Sequence, residues 1–140
     1  MSRIKIPKPN RIDFTTILKL RIYDMNYGGH MGNDIVLRLV HEARLRFLNS
    51  IGVNEQDFFG VSLLISDSAV VYKNQAFYTD AISINITVLD VSDYTFILVY
   101  ILKNEKKNLE IARVKTSLVC YNHLIKKLTK IPFDFTSIFA

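Results

Sequence analysis

Between Asn33 and Ile51 the apolar residues Val36, Leu39, Val40, Ala43, Phe47 and Ile51 recur at steps of three and four, the spacing that lines one face of an α-helix. Ile35, Leu37, Leu45 and Leu48 widen that apolar surface, so the helix is expected to be wrapped by other structure. Gly52 is a natural stop, and Asn33 or Asp34 a natural N-cap. The other patterned segments read as strands. In "FTTILKLRIY", 14 to 23, Leu18, Leu20 and Ile22 alternate with Lys19 and Arg21. Further strand-like runs cover 62–78, 81–92, 94–104 and 109–122, with short polar separators that suit antiparallel hairpins. Within 81–92, Ile82, Ile84, Ile86 and Val88 alternate with Ser83, Asn85 and Thr87, which predicts one buried face and one wetter face.

One strand, one long helix and four more strands imply an α+β architecture, in which a curved antiparallel sheet of about five strands folds around one central helix. That is the hotdog fold in outline. Its sheet edges need covering, so a homodimer with a continuous sheet, or a homotetramer built from it, is expected. At 140 residues, with no repeat, linker or low-complexity tract, residues 1–140 are expected to form one domain. No apolar stretch approaches the ~20 residues of a membrane span, and "MSRIKIPKPNRIDF" lacks a secretory h-region, so the expected setting is cytoplasmic with no membrane partner. The single cysteine, Cys120, can build neither an internal disulfide nor a thiol-pair zinc site, and its β-like surroundings point to a buried structural role.

The densest chemistry lies in "DMNYGGHMGND", Asp24 to Asp34. Continued into the helix, "DMNYGGHMGNDIVLRLVHEARLRFL" resembles the thioesterase subgroup of hotdog proteins, the 4-hydroxybenzoyl-CoA and acyl-CoA thioesterases. Their strand-to-helix segment reads roughly D-x-D-x-x-G-H-V-N-N, followed by a helix carrying E-A-R. The matching residues are Asp24, Gly29, His30, Asn33, Glu42, Ala43 and Arg44. "VVYKNQAFYTDAISINITV", with Asp80 opening a strand, is similar to that family's second block, and "IARVKTSLVCYN" and "KIPFDF" to its last strand and tail. The resemblance implies hydrolysis of an acyl-CoA or acyl-carrier-protein thioester to a carboxylic acid and free thiol. It implies no cofactor, coenzyme A being part of the substrate. In one respect the chain departs from the pattern: the second acid of D-x-D, often the carboxylate that attacks the thioester or activates water, is Asn26. An amide can do neither, although it can orient a carbonyl or a water. The family alternative, a carboxylate on the central helix, draws attention to Asp34 and Glu42.

Such chemistry needs donors for a developing oxyanion and a carboxylate or imidazole to work on water. Gly28, Gly29 and Gly32 let backbone approach a ligand, and the amides near Gly32, Asn33 and Asp34 sit at the positive end of the helix dipole. His30 could polarise the thioester or orient water, with Asp34 or Glu42 as general base. Glu42 lies roughly two turns beyond Asp34 and about 80° round the helix, so both serve one cleft only if two subunits build it. Plainer roles compete. Asp34 could be a first-turn acid or cap, Glu42 an ion-pair partner of Arg38 or Arg46, Asn26 an Asx-turn former, and His30 a loop histidine satisfied by backbone. Asp24 reads as a strand-end cap, and His41 and His123 have no visible partner.

Two other functions fit the same residues. A hotdog hydratase or dehydratase would pair His30 with Glu42 or Asp34, although the proline-rich surroundings of the dehydratase histidine are missing. A non-catalytic acyl-thioester-binding protein would explain Asn26. The net charge of +5 is spread over "KIPKPNR", "KNEKK" and "KKLTK", the last two read as a hairpin tip and a surface tail. With no basic and aromatic stripe, a nucleic-acid partner is not expected, whereas an anionic small molecule would be attracted. The dispersed histidines suggest no metal.

Overall fold

The computed structural model describes residues 3–140. The chain runs through β1 (Phe14–Lys19), a 3-10 turn (Ile22–Asp24), α1 (Ile35–Ser50), β2 (Ser62–Tyr72), β3 (Ala81–Leu89), β4 (Phe96–Asn104), β5 (Leu109–Asn122), β6 (Lys127–Thr129) and α2 (Phe133–Phe139). All strand pairs are antiparallel, in the order β1-β3-β4-β5-β2, with β6 on β5. The sheet curves around α1, whose Val36, Leu39, Val40, Ala43 and Phe47 are buried against it. Leu37 and Leu45 stay 43% and 38% exposed, so the wrapping is one-sided and α1 keeps an outer face. Gly52, at φ 81°, ends the helix as expected: the Gly52 amide donates to Asn49 O at 3.0 Å and the Val53 amide to Leu48 O at 3.0 Å, a Schellman closure. At the other end Asp34 is the cap residue, but its side chain makes no capping bond.

Several boundaries differ from the sequence reading for local reasons. β1 stops at Lys19 because the Asp24 carboxylate accepts the Arg21 amide at 2.8 Å and folds the chain into the 3-10 turn, leaving Ile22 61% exposed. β2 stops at Tyr72 because the amides of Lys73 and Asn74 turn to Ile111 O, at 2.9 and 3.1 Å. The tail is not loose: "KLT" of the expected surface tail pairs with β5 as a sixth strand, and Phe133–Phe139 forms a second helix. Burial explains that helix, since Phe135 is fully buried with its ring centroid 4.4 Å from Phe96 and 5.1 Å from Phe58. Phe139 reaches Phe47 at 5.7 Å, so α2 closes one end of the seam between α1 and the sheet. The polar face of β3 is also drier than expected. Ser83 and Thr87 are 7% and 2% exposed, and Thr87 donates to Arg11 O at 2.6 Å, because the N-terminal segment crosses that face and buries Ile6 against Val99 and Ile101. No described helix is long and apolar enough to cross a membrane.

Candidate active site

The stretch from Asp24 to Asp34 is a tight, internally bonded turn. The Asn26 amide donates to His30 O at 2.9 Å and the Gly29 amide to Asn26 O at 3.1 Å, with Gly29 at φ 84°, where glycine is favoured. Asn26 also makes the Asx turn considered from sequence, its Oδ1 accepting the Gly28 amide at 2.9 Å. A Cβ on residue 28 would lie 3.2 Å from Asn26 Oδ1 and 3.5 Å from His30 Nε2, so Asn26 and His30 meet across bare Gly28. One backbone bond fixes the turn to its surroundings, the Met31 amide donating to Ala76 O at 2.8 Å, and a second closes the turn on itself, the Gly32 amide donating to Asp24 O at 3.1 Å. The second bond corrects one expectation, because the Gly32 amide is engaged inside the protein. Among the described residues, the amides of Asn33 and Asp34 find no protein acceptor, and they stand at the helix N-terminus.

His30 and Asn33 line one cavity of about 210 Å³ with Val36, Tyr72, Lys73 and Gln75. The Tyr72 hydroxyl donates to Asn33 O at 3.2 Å and ties the end of β2 to the start of α1. His30 Nδ1 lies 3.3 Å from Met31 O, which leaves Nε2 on the Gly28 side. Asp34 is exposed and folds back over Gly32, where a Cβ would fall 2.6 Å from Asp34 Oδ1. Glu42 is elsewhere. It accepts Arg46 Nε at 2.8 Å and lines a separate groove between α1 and β1, together with Asp24. The structure therefore gathers Asn26, His30, Asn33 and Asp34 at one helix end and sets Glu42 apart within the chain. Tyr72, Lys73 and Gln75 were missed from sequence because only tertiary folding brings the end of β2 to the turn.

Other candidates settle into structural roles. Asp24 is 4% exposed and holds the 3-10 turn. His41 Nε2 lies 2.8 Å from Glu55 Oε1, while the buried Arg44 donates to Glu55 Oε2 at 3.2 Å and to the Tyr100 hydroxyl at 3.3 Å. Tyr100 lies 2.9 Å from Thr116 Oγ1, and burial pushes its phenol above the usual range despite Arg44 beside it. Cys120 is buried, and that burial pushes its thiol up to about 12, which removes it as a nucleophile near neutrality. Among the described residues, no three histidine, cysteine or acidic side chains cluster as metal ligands.

Solved structures with the same hotdog fold include a 1,4-dihydroxy-2-naphthoyl-CoA thioesterase from Synechocystis, 20% identical over 89% of this chain and 93% of that one, with a TM-score of 0.81. A DHNA-CoA thioesterase from Staphylococcus aureus is 21% identical, covers 89% and 84% and has a TM-score of 0.76. A gentisyl-coenzyme A thioesterase is 17% identical, covers 88% and 99% and has a TM-score of 0.77. No curated protein matches the sequence significantly. The family model for the thioesterase-like superfamily matches residues 20–139, so the chain belongs to that superfamily.

Proposed function

We propose that this thioesterase-like protein hydrolyses acyl-CoA thioesters at the turn between Asp24 and Asp34. One observation carries the reading: the amides of Asn33 and Asp34 stand unaccepted at a helix N-terminus, and Asn33 lines a small cavity together with His30. Donors fixed in advance favour a tetrahedral oxyanion, and a single such donor is worth about 3–4 kcal/mol of barrier. In this mechanism His30 orients the carbonyl or the attacking water through Nε2, and Asn26 steadies it with the amide nitrogen that its Asx turn leaves free. The Asp34 carboxylate takes the proton from water, and the thiolate of coenzyme A leaves. Glu42, held by Arg46 in the other groove, has no direct part within one subunit. Gly28, Gly29 and Gly32 allow the close approach. The protein needs no cofactor, coenzyme A being part of the substrate, and CoA thioesters also figure in the names of the structural neighbours.

The same reading has the protein act in the cytoplasm as a homodimer. β2 is an edge strand of 11 residues, with Leu64 and Ile65 partly exposed, and self-pairing would continue the sheet. Free-thiol release from short, long and aromatic acyl-CoA thioesters, with wild type, His30→Ala, Asp34→Ala and Glu42→Ala, tests the proposal. Turnover lost with Asp34→Ala and His30→Ala, and retained by Glu42→Ala, is the expected pattern. No release from any thioester would refute the reading and move attention to hydration of enoyl thioesters or to binding alone.

A further inference from the structure

The hairpin of β5 and β6 ends in a four-residue turn, residues 123–126, at the opposite end of the sheet from the turn of Asn26 and His30. Ser62, which opens β2, pairs with Tyr121 beside this hairpin, whereas Tyr72, which closes β2, bonds to Asn33. Hairpin turns are normally built from polar residues, because their side chains face water. This one carries Leu124 and Ile125, which are 94% and 58% exposed, and Leu128 on β6 is 58% exposed. Buried Cys120 pairs with Thr129, so by strand alternation Leu128 and its partner Tyr121 face away from the core. The turn is also held in shape: Asn122 Oδ1 accepts the amides of Leu124 at 2.9 Å and Ile125 at 3.4 Å, and Lys126 closes it at φ 56°. Single exposed leucines are ordinary, but three large aliphatic side chains within five residues of one bonded hairpin form a patch, and none of them belongs to a core cluster.

The charge around the patch has one sign. Lys126, Lys127 and Lys130 are exposed, and among the described residues none of them has an ion pair or a side-chain hydrogen bond. No acid occurs between Glu110 and Asp134. Glu55, which lines a groove with His123, is taken up by His41 and Arg44. We infer that this hairpin is a peripheral docking site for an anionic lipid bilayer, with Leu124 and Ile125 entering the headgroup region and the three lysines meeting the lipid phosphates. An apolar tip flanked by cations suits a bilayer, which takes up an apolar side chain of any shape to a depth of about 5–10 Å. A protein partner would instead need a fitted pocket with acids in register. No spanning helix is required for such a contact, so a bilayer surface takes the place of the expected absence of a membrane partner. β6 occupies the side of β5 that β4 leaves beyond Leu118, away from β2, so self-pairing of β2 does not use the hairpin. The 11 residues of β2 span roughly 35 Å, so docking at one end leaves the turn of Asn26 and His30 in water at the other. The inference is independent of the hydrolase reading.

Co-sedimentation of the full chain with vesicles of phosphatidylcholine alone, and of equal parts phosphatidylglycerol and phosphatidylcholine, tests the site without any turnover. Wild type is expected to bind the anionic vesicles and to hold the neutral ones on the order of 100-fold more weakly, about fivefold per lysine, with the difference shrinking in salt. Lys126→Ala with Lys127→Ala and Lys130→Ala should lower the affinity for anionic vesicles to that for neutral ones. Leu124→Ser with Ile125→Ser should weaken binding roughly tenfold or more. All five side chains are exposed, so the variants should keep the fold, which unchanged urea midpoints check. The chain has no tryptophan, so Leu124→Trp supplies a single fluorophore, whose emission should move to shorter wavelength on anionic vesicles. Tyr27→Trp, at the other end of the sheet, should show no such shift. A wild type that binds neither vesicle would overturn the inference and leave the patch to a protein partner. Unchanged vesicle binding in Leu124→Ser with Ile125→Ser would overturn it too. So would a change of oligomeric state in that variant by sedimentation velocity, which would assign the patch to contact between copies of the chain.

Discussion

Gly32→Ala separates the position of Asp34 from its presence. Gly32 does not lie in the left-handed region, so the backbone admits alanine, and the obstacle is the Asp34 carboxylate oxygen 2.6 Å from the new Cβ. Ordinary contact begins at 3.4 Å, so Asp34 Oδ1 must retreat by about 0.8 Å, mostly by side-chain rotation. A rotamer displaced by ~30° costs about 0.5–1.5 kcal/mol, and the exposed carboxylate has solvent to move into, so the loss of stability should stay below about 1 kcal/mol. A general base moved by about 1 Å loses on the order of 100-fold in rate. The expected result is a thiol-release kcat reduced about 10- to 100-fold in protein whose urea midpoint barely moves, with Asp34→Ala at or below the same level. Wild-type turnover in Gly32→Ala would refute the base role of Asp34, because its oxygen cannot keep its position beside a Cβ. A large loss of stability would refute the packing argument instead.

Three further outcomes follow from the geometry. Asn26→Asp keeps the Asx acceptor for the Gly28 amide, so the fold should hold, while a second negative charge beside the developing oxyanion should cut kcat at least tenfold; a gain would mark the wild-type site as degenerate. Phe135→Ala empties a fully buried position among Phe58, Phe96 and Phe139, and should cost about 3–5 kcal/mol in chemical denaturation; a loss under about 1 kcal/mol would show that α2 does not close the core. Burial raises Glu110, but the hydrogen bond and charge of Arg113, with Lys73 and Lys8, outweigh it and hold the carboxyl below its ordinary 4.5. A lowered folded value means that the unfolded chain binds the proton more readily. The contribution is therefore present in full above 4.5 and is lost as pH falls through the folded value. Glu110→Gln should flatten the acid limb of a urea-midpoint profile, and an unchanged limb would show that Glu110 is not coupled to folding.

The fold was legible where one short-range pattern decides one element. The helical stripe from Val36 to Phe47 and the alternation from Ile82 to Val88 correspond to α1 and β3, because burial on one face is a local property of sequence. What escaped depends on distant partners. β6 is three residues with no apolar alternation and exists because β5 continues far enough to pair with it, Cys120 facing Thr129. α2 is seven residues, too short to be stable alone, and is held by rings contributed from β4 and the loop before β2. Ser83 and Thr87 looked wet because nothing in β3 reports that residues before β1 will cover them.

The site divides along the same line. Asn26, His30, Asn33 and Asp34 could be grouped from sequence because the glycines between them compress four polar groups into one turn, where sequence proximity guarantees spatial proximity. Glu42 shows the limit of that argument. It shares the helix with Asp34, but helical rotation carries it to the groove with Arg38 and Arg46, while Tyr72 and Lys73, more than thirty residues downstream of the turn, stand beside His30 and Asn33. α1 therefore borders two concavities: Asn33 at its start lines the cavity of His30, and its outer stripe supplies Arg38, Glu42 and Arg46 to the groove against β1. A thioester carbonyl brought to that helix end would meet donors already fixed in place. That arrangement requires the turn to be rigid: the bond from Gly32 to Asp24 closes it, and the bonds from Met31 to Ala76 and from Tyr72 to Asn33 anchor it to β2 and the loop that follows.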